Sequence, residues 1–383
     1  MPSPSSNHQI EQLLEKKVVY QGTHRCRTPE QTWEQLQPLL ISAGITRVAD
    51  ITRLDSVGLP VYQAIRPHSR ALAVSQGKGL TPMLAKVSAV MESIESWCAE
   101  QIPIAVEQRK VSEMDLPYNP CRLCRRGYSH LAQRIRHNWA AAVDLHGGNS
   151  TFVPLRLVRL DWTVTGHWDI HPFLSTSNGL ASGNSCNEAL VHAICELVER
   201  FTTNQPAGPV KAVDPSTLPS GSSQRMAELI LSGGHQLELE WCPSSIGLPV
   251  FKARLHCDQL PQLFGGYGAH LDADVALSRA ICEAAQSRLT HISGARDDMD
   301  PWTSLPVSRP DTKVRQDDTI SLDAVQSQAD QAGLRPGLSL QDDLNTLLAA
   351  LEHHTLLAMD LSPLDGVHVM RVVSPELETM GVQ

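Results

Sequence analysis

Three segments of the chain repeat one pattern in one register. With Glu92, Glu196 and Glu283 set in line, Ala85, Ala189 and Ala276 stand seven residues upstream, and Ala89, Ala193 and Ala280 stand three upstream. Three residues downstream come Glu95, Glu199 and Gln286. Gly79 and Gly183 precede the first two glutamates by thirteen residues, and the run Phe264-Gly-Gly-Tyr-Gly268 precedes the third. Residues at i and i+3 share a helix face. Each copy therefore predicts a glycine-rich loop feeding a helix with a small-residue stripe and a pair of carboxyl or amide groups. Three such faces brought together would gather five carboxylates and one amide, and carboxylates crowd together chiefly to hold metal ions.

A chain of 383 residues with 42% apolar content can build one large domain or two ordinary ones around a packed core. The formal charge of −9 argues against broad binding to nucleic acid or anionic membranes, and 4% aromatic content weakens a base-stacking strand binder. No apolar run approaches the roughly 20 residues of a membrane helix. The polar start at 1–7 has no signal-peptide core behind it, so the expected location is cytoplasmic. Nine scattered cysteines suit reduced thiols better than a disulfide framework. The close pair Cys121-Arg-Leu-Cys124 reads as two free thiols in a loop, because two cysteines alone do not complete a zinc site.

Along the chain, 9–40 reads as two helical stretches broken by the polar segment 21–29. Strands are expected at 47–51, 61–65 and 71–75, with a turn-rich segment at 52–60. Gln76-Gly-Lys-Gly79 then opens the first repeat helix near Pro82, a residue favoured in a first helical turn. The pattern dissolves over 111–148 and returns as a strand at 152–162. The second repeat helix spans 186–201, followed by a linker at 205–224, a helix at 226–231 and strands at 236–241 and 250–255. The third repeat helix ends near 293, 297–318 reads as a surface loop, and a helix (340–353) and two strands (356–361, 367–373) close the chain. Alternating strands and helices make the class mixed α/β, with the repeats inside one domain.

Ser88, Glu92 and Glu95 form one stripe on the first helix. Glu188, His192, Glu196 and Glu199 form the second, with Arg200 beside them, and Arg279, Glu283 and Gln286 form the third. Hard cations such as Mg2+ take oxygen ligands and share them with substrate phosphates. Glycine loops at helix N-termini offer backbone N–H groups to those phosphates, and Lys78 and Arg200 add fixed positive charge. A lone glutamate pair is usually a solvated face. These pairs sit among apolar neighbours such as Val90, Met91 and Ile94, where charge is costly unless paired or metal-bound. Gln76-Gly-Lys-Gly79 lacks Walker spacing, and neither a nucleophile elbow nor a His-Glu-x-x-His motif occurs.

Several separate motifs together resemble the YcaO family. They are Asp50-Ile-Thr-Arg-Leu-Asp55 with Gly58-Leu-Pro-Val-Tyr-Gln-Ala-Ile-Arg-Pro67, Ser75-Gln-Gly-Lys-Gly79 running into Ser88 to Glu95, and Ser177-Asn-Gly-Leu-Ala-Ser-Gly-Asn184 running into Glu188 and Glu196-Leu-Val-Glu-Arg200. The last is Gly265-Gly-Tyr-Gly268 through Arg279, Glu283 and Gln286 to Ser293-Gly-Ala-Arg-Asp-Asp298. The resemblance runs from about Gly22 onward. It implies a YcaO-type fold over 21–383 behind a polar extension at 1–20, with 111–150 and 297–318 as insertions or surface segments. It also implies an ATP-dependent enzyme that phosphorylates the oxygen of a backbone amide after a nucleophile has added to the carbonyl. Carried over residue by residue, Glu92, Glu95, Glu196, Glu199 and Glu283 would hold Mg2+. Lys78, Ser88, Asn184, Glu188, Arg279 and Gln286 would line the ATP, and Glu92, Glu196, Glu199 and Arg200 would carry catalysis.

The resemblance leaves the nucleophile open. An external sulfide gives a thioamide, a neighbouring Cys, Ser or Thr side chain gives an azoline, and an amine gives an amidine. The chain carries no ubiquitin-activating-enzyme-like domain ahead of the match and ends at Met380-Gly-Val-Gln383 without a proline-rich terminus. It therefore looks most like stand-alone members that work with a TfuA-like partner and a sulfur donor to make thioamides in peptides or proteins. An azoline-forming cyclodehydratase for a ribosomally made peptide is the alternative among enzymes, a nucleotide-binding scaffold the alternative outside them, and a homodimer is among the expectations.

Overall fold

The computed structural model describes residues 15–164, 170–205, 210–257, 260–295, 319–363 and 366–378. The polar start at 1–7 and the expected surface loop at 297–318 lie outside them. Strands β1 (Arg47–Asp50), β2 (Val61–Ile65) and β3 (Val74–Lys78) form a three-stranded antiparallel sheet. Strands β4 (Val106–Arg109), β5 (His137–Asp144), β6 (Ser150–Pro154) and β7 (Leu180–Gly183) belong to a second sheet. Strands β8 (Lys211–Val213), β9 (Gln236–Trp241), β10 (Val250–Cys257) and β11 (Leu260–Ala269) form a third, in the order β11-β10-β9-β8. The last strands, β12 (Leu357–Asp360) and β13 (His368–Val373), return to the second sheet and lie between β5 and β7.

Each repeat is a strand followed by a helix, and each uses a different sheet. The first repeat helix, Pro82–Ala99, follows β3; the second, Cys186–Asn204, follows β7; the third, Ala273–Ser293, follows β11. Their starts are fixed by side-chain caps: Thr81 accepts from Leu84 N–H, Ser185 from Glu188 N–H, and Asp272 from Asp274 and Val275 N–H. The third stops at Gly294, whose φ of +57° makes a left-handed cap.

The glycine runs lie largely in strands, with Gly79 and Gly179 in the loops beside them. Gln76-Gly-Lys78 lies in β3, Gly183 ends β7, and Gly266 and Gly268 lie within β11. A Cβ on Gly77 would sit 2.0 Å from the Ala89 backbone nitrogen, and one on Gly183 would sit 2.6 Å from that of Ala189. One on Gly268 would sit 2.1 Å from the Ala276 carbonyl oxygen. Glycine on the strand and alanine on the helix let two backbones touch, and that contact is what the repeat encodes. The expectation that these glycines cradle phosphates is corrected accordingly, and only Gly79 of the first run reaches the cavity described below.

The other elements mostly follow the sequence reading, but the strand expected at 71–75 is β3 at 74–78, β8 lies inside the expected linker at 205–224, and four further differences stand out. Residues 15–20 are not helical: Lys16 and Val19 make isolated bridges, and buried Lys17 pairs with Asp343 at 2.6 Å. The stretch read as patternless contains β5, whose three alanines carry weak strand propensity. Pairing with β4, β6 and β12 imposes the strand. The strand read over 152–162 ends at Pro154 and gives way to the helical turn Leu155–Val158. A helix at Leu322–Gln331, buried through Leu322, Val325 and Ala329, had gone unread.

Candidate functional site

All twelve residues singled out from the sequence line one cavity of about 580 Å³. The first repeat helix contributes Ser88, Glu92 and Glu95, the second Glu188, Glu196, Glu199 and Arg200, and the third Arg279, Glu283 and Gln286. Lys78 from β3 and Asn184 from the start of the second helix complete the set. Three helices resting on three sheets thus turn their acid pairs to one space, as the i, i+3 spacing requires.

Two of the acids meet a cation directly. Lys78 Nζ lies 3.3 Å from Glu283 Oε2, and Arg200 Nε donates to Glu196 Oε1 at 2.8 Å. Burial would lower the Lys78 ammonium, but the Glu283, Glu92 and Glu199 charges outweigh it and raise it. Arg200 is raised chiefly by Glu196. Burial raises Glu196 although Arg200 and Arg371 pull the other way. Burial, reinforced by the Glu283 and Glu196 charges, pushes Glu199 up to about 8. Burial likewise pushes Glu95 up to about 8, with Glu92 and Glu196 adding to it and a hydrogen bond from Ser182 opposing it. Crowded acids that hold their protons this far above the usual carboxylate range lack positive charge. An all-oxygen donor set of this kind fits a hard divalent cation.

Asn184 and Glu188 face the cavity with most of their polar atoms already engaged. Glu188 Oε2 accepts from Cys26 N–H at 3.0 Å, Glu188 Oε1 accepts from Asn184 Nδ2 at 3.0 Å, and Arg25 lies 3.3 Å away. Thr32 Oγ1 donates to Asn184 Oδ1 at 2.7 Å. These two residues dock the N-terminal segment, so Arg25, Arg27 and Thr32 also line the cavity, and no sequence pattern marked them. Gln76, His192, Tyr267 and Ser278 line it as well. Burial lowers His192 well below the ordinary histidine range, with Arg279, Arg25 and Lys78 adding to it, so the ring is neutral and its buried Nδ1 has no hydrogen-bond partner among the described residues. The same holds among the described residues for buried Gln286 Oε1 and Ser278 Oγ. Such orphaned groups in a cavity wall suit a polar ligand.

The opening signature holds structure. Asp55 pairs with buried Arg288 (Oδ1 to Nη2, 2.9 Å), Asp50 accepts from Thr52 N–H at 2.9 Å, and Arg66 grips Glu100 (Nη1 to Oε2, 2.8 Å). Cys121 and Cys124 are buried free thiols, and burial pushes Cys124 up to about 12. No helix among the described residues is long and apolar enough to cross a membrane.

Residues 76–378 match a family described as YcaO cyclodehydratase, ATP- and Mg2+-binding. A protein of Methanothermobacter thermautotrophicus, itself uncharacterized, is 30% identical over 92% of this chain and 95% of its own. A Rhizobium leguminosarum bv. trifolii protein described as lying in the tfuA 3′ region is 37% identical, over 72% of this chain and 69% of its own. An uncharacterized Mycobacterium tuberculosis protein is 42% identical over 73% of the chain, and the match spans 64% of that relative's length. Among solved structures, YcaO from Methanopyrus kandleri bound with AMPPCP and Mg2+ shares the fold, with a TM-score of 0.71 at 22% identity over 94% of both chains. A heterocyclase in complex with substrate and cofactor shares it with a TM-score of 0.71 at 19% identity, covering 97% of this chain and 55% of that one.

Proposed function

The chain belongs to the YcaO family, whose members bind ATP and Mg2+, and from that premise we propose that it activates a backbone amide of a peptide or protein. In this reading an external sulfur donor adds to the carbonyl carbon, ATP phosphorylates the amide oxygen of the adduct, and that oxygen leaves on phosphate. The product is a thioamide. The observation that carries the reading is the convergence of five carboxylates and one amide from three helices, with Lys78 and Arg200, on one cavity.

Glu92, Glu95, Glu196, Glu199 and Glu283 are the proposed Mg2+ ligands, and bound Mg2+ would neutralise charge building on the phosphates. Lys78 and Arg200 hold Glu283 and Glu196 in place and add fixed positive charge to the same wall. Ser88, Arg279 and Gln286 are the proposed nucleotide contacts. Asn184 and Glu188 act on the nucleotide through the N-terminal segment they anchor.

The choice of sulfur rests on the relative that lies in a tfuA 3′ region, which also supports a TfuA-like partner. Azoline formation is the second reading, favoured by the word cyclodehydratase in the family's description. The test is the mass of a candidate peptide after incubation with the chain, a TfuA-like protein, ATP, Mg2+ and sulfide. A gain of about 16 Da supports thioamidation, and a loss of about 18 Da without sulfide supports cyclodehydration; both draw on the same phosphoryl transfer. ATP bound but never consumed, with no mass change, would favour the scaffold.

A further inference from the structure

The cavity has two chemically different ends. Beside the acid cluster, its wall is the open margin of the apolar core beneath the first repeat helix. Met91, Leu160 and Leu180 belong to that core, and Val87 packs against it. Trp162 stands at its brink, 44% exposed, with its backbone N–H donating to the Arg70 carbonyl at 2.8 Å. Two relations place this margin next to the chemistry. Met91 precedes Glu95 by one helical turn, about 6 Å along the axis. Leu180 and Ser182 share one face of β7, and Ser182 donates to Glu95. An aromatic side chain half-open to water, over an apolar wall one turn from the acids, is a place for a ligand side chain.

Resting on the reading of the cavity as an ATP site, we propose that Trp162 and this apolar margin bind the substrate side chain that flanks the activated amide, and that they select apolar side chains over acidic ones. The selection has two sources. Trp162 and the half-buried Val87 offer apolar surface that an apolar side chain would remove from water, and a carboxylate laid on the same surface would give up hydration without gaining a partner. A Gly-Leu amide would therefore seat its leucine side chain against Trp162, and a Gly-Asp amide would not.

The test uses the full chain with Mg2+ and AMPPCP and two probes, N-acetyl-glycyl-leucine methylamide and N-acetyl-glycyl-aspartate methylamide. Binding of each probe is read by titration calorimetry, which serves the natural chain and the variants that lack Trp162 alike. The leucine probe is expected to bind at least about 10-fold more tightly than the aspartate probe. Trp162→Ala should abolish that preference and leave Mg2+–AMPPCP affinity unchanged, while Trp162→Phe should retain most of it. Equal binding of the probes, binding of neither, or a preference that survives Trp162→Ala overturns the proposal. Failure of the natural chain to bind Mg2+–AMPPCP at all would overturn the ATP reading instead.

Discussion

Glu95 and Glu199 hold their protons up to about 8 in the folded chain, whereas an unfolded glutamate releases its proton near about 4.3. Between those values the folded state binds more protons than the unfolded one, so stability falls as pH rises through that window. Without divalent ions, the melting temperature should decline from pH 7 to pH 8, above the range in which the buried neutral His24, His192 and His270 give the opposite slope. With Mg2+ and AMPPCP the decline should flatten, and calorimetry at pH 7 should show protons released on binding, as a heat that depends on the buffer. A melting temperature indifferent to pH would sink the assignment of these two groups. Glu196→Gln keeps the side chain's shape and removes its charge. It should cost ATP turnover more than about 100-fold, since even the outer partners of metal ligands are worth 10–100-fold, and leave the circular dichroism spectrum unchanged.

The strand–helix unit accounts for both what was legible beforehand and what was misread. The acid pairs were readable because a helix face follows from spacing alone, so Glu92 with Glu95 and Glu196 with Glu199 were placed without knowledge of the sheets. The glycines were assigned the wrong task because close backbone approach and phosphate cradling leave the same mark on a sequence. Gly77→Ala separates the two: a methyl 2.0 Å from the Ala89 nitrogen must push the first repeat helix off β3. Urea unfolding should show a loss of at least about 3 kcal/mol, the upper range for overpacking. A loss below about 1 kcal/mol would mean that the contact is not what fixes the unit. β5 stayed hidden for another reason, since its alanines become a strand only once β12 arrives from more than 200 positions further along.

At the scale of the whole molecule, the N-terminal segment is tied to distant parts of the chain. Lys17 Nζ lies 2.6 Å from Asp343 Oδ2 and donates to the Gly337 carbonyl at 2.8 Å, with both charged side chains almost wholly buried. His24, His270 and Asp343 place their ligand atoms within 4.8 Å of one another, a spacing a metal ion could use, and the Lys17 ammonium already supplies positive charge there. Lys17→Met strands a buried carboxylate and should cost about 3–5 kcal/mol in equilibrium unfolding. A cost within experimental error would show that the tie contributes nothing. No short-range pattern could have announced it, because Lys17 and Asp343 are partners only in three dimensions.

The strand order also bears on how the molecule is made. β7, which leads into the second repeat helix, has β13 as its only sheet neighbour among the described residues. A ribosome releases Leu180 to Gly183 long before His368 to Val373, and through that interval β7 has no ladder to join. The wall that carries Glu196 and Glu199 cannot be fixed until His368 to Val373 have emerged. A nascent chain thus carries an open edge that invites chaperones through the whole interval between β7 and β13, and the ability to capture nucleotide waits on β13.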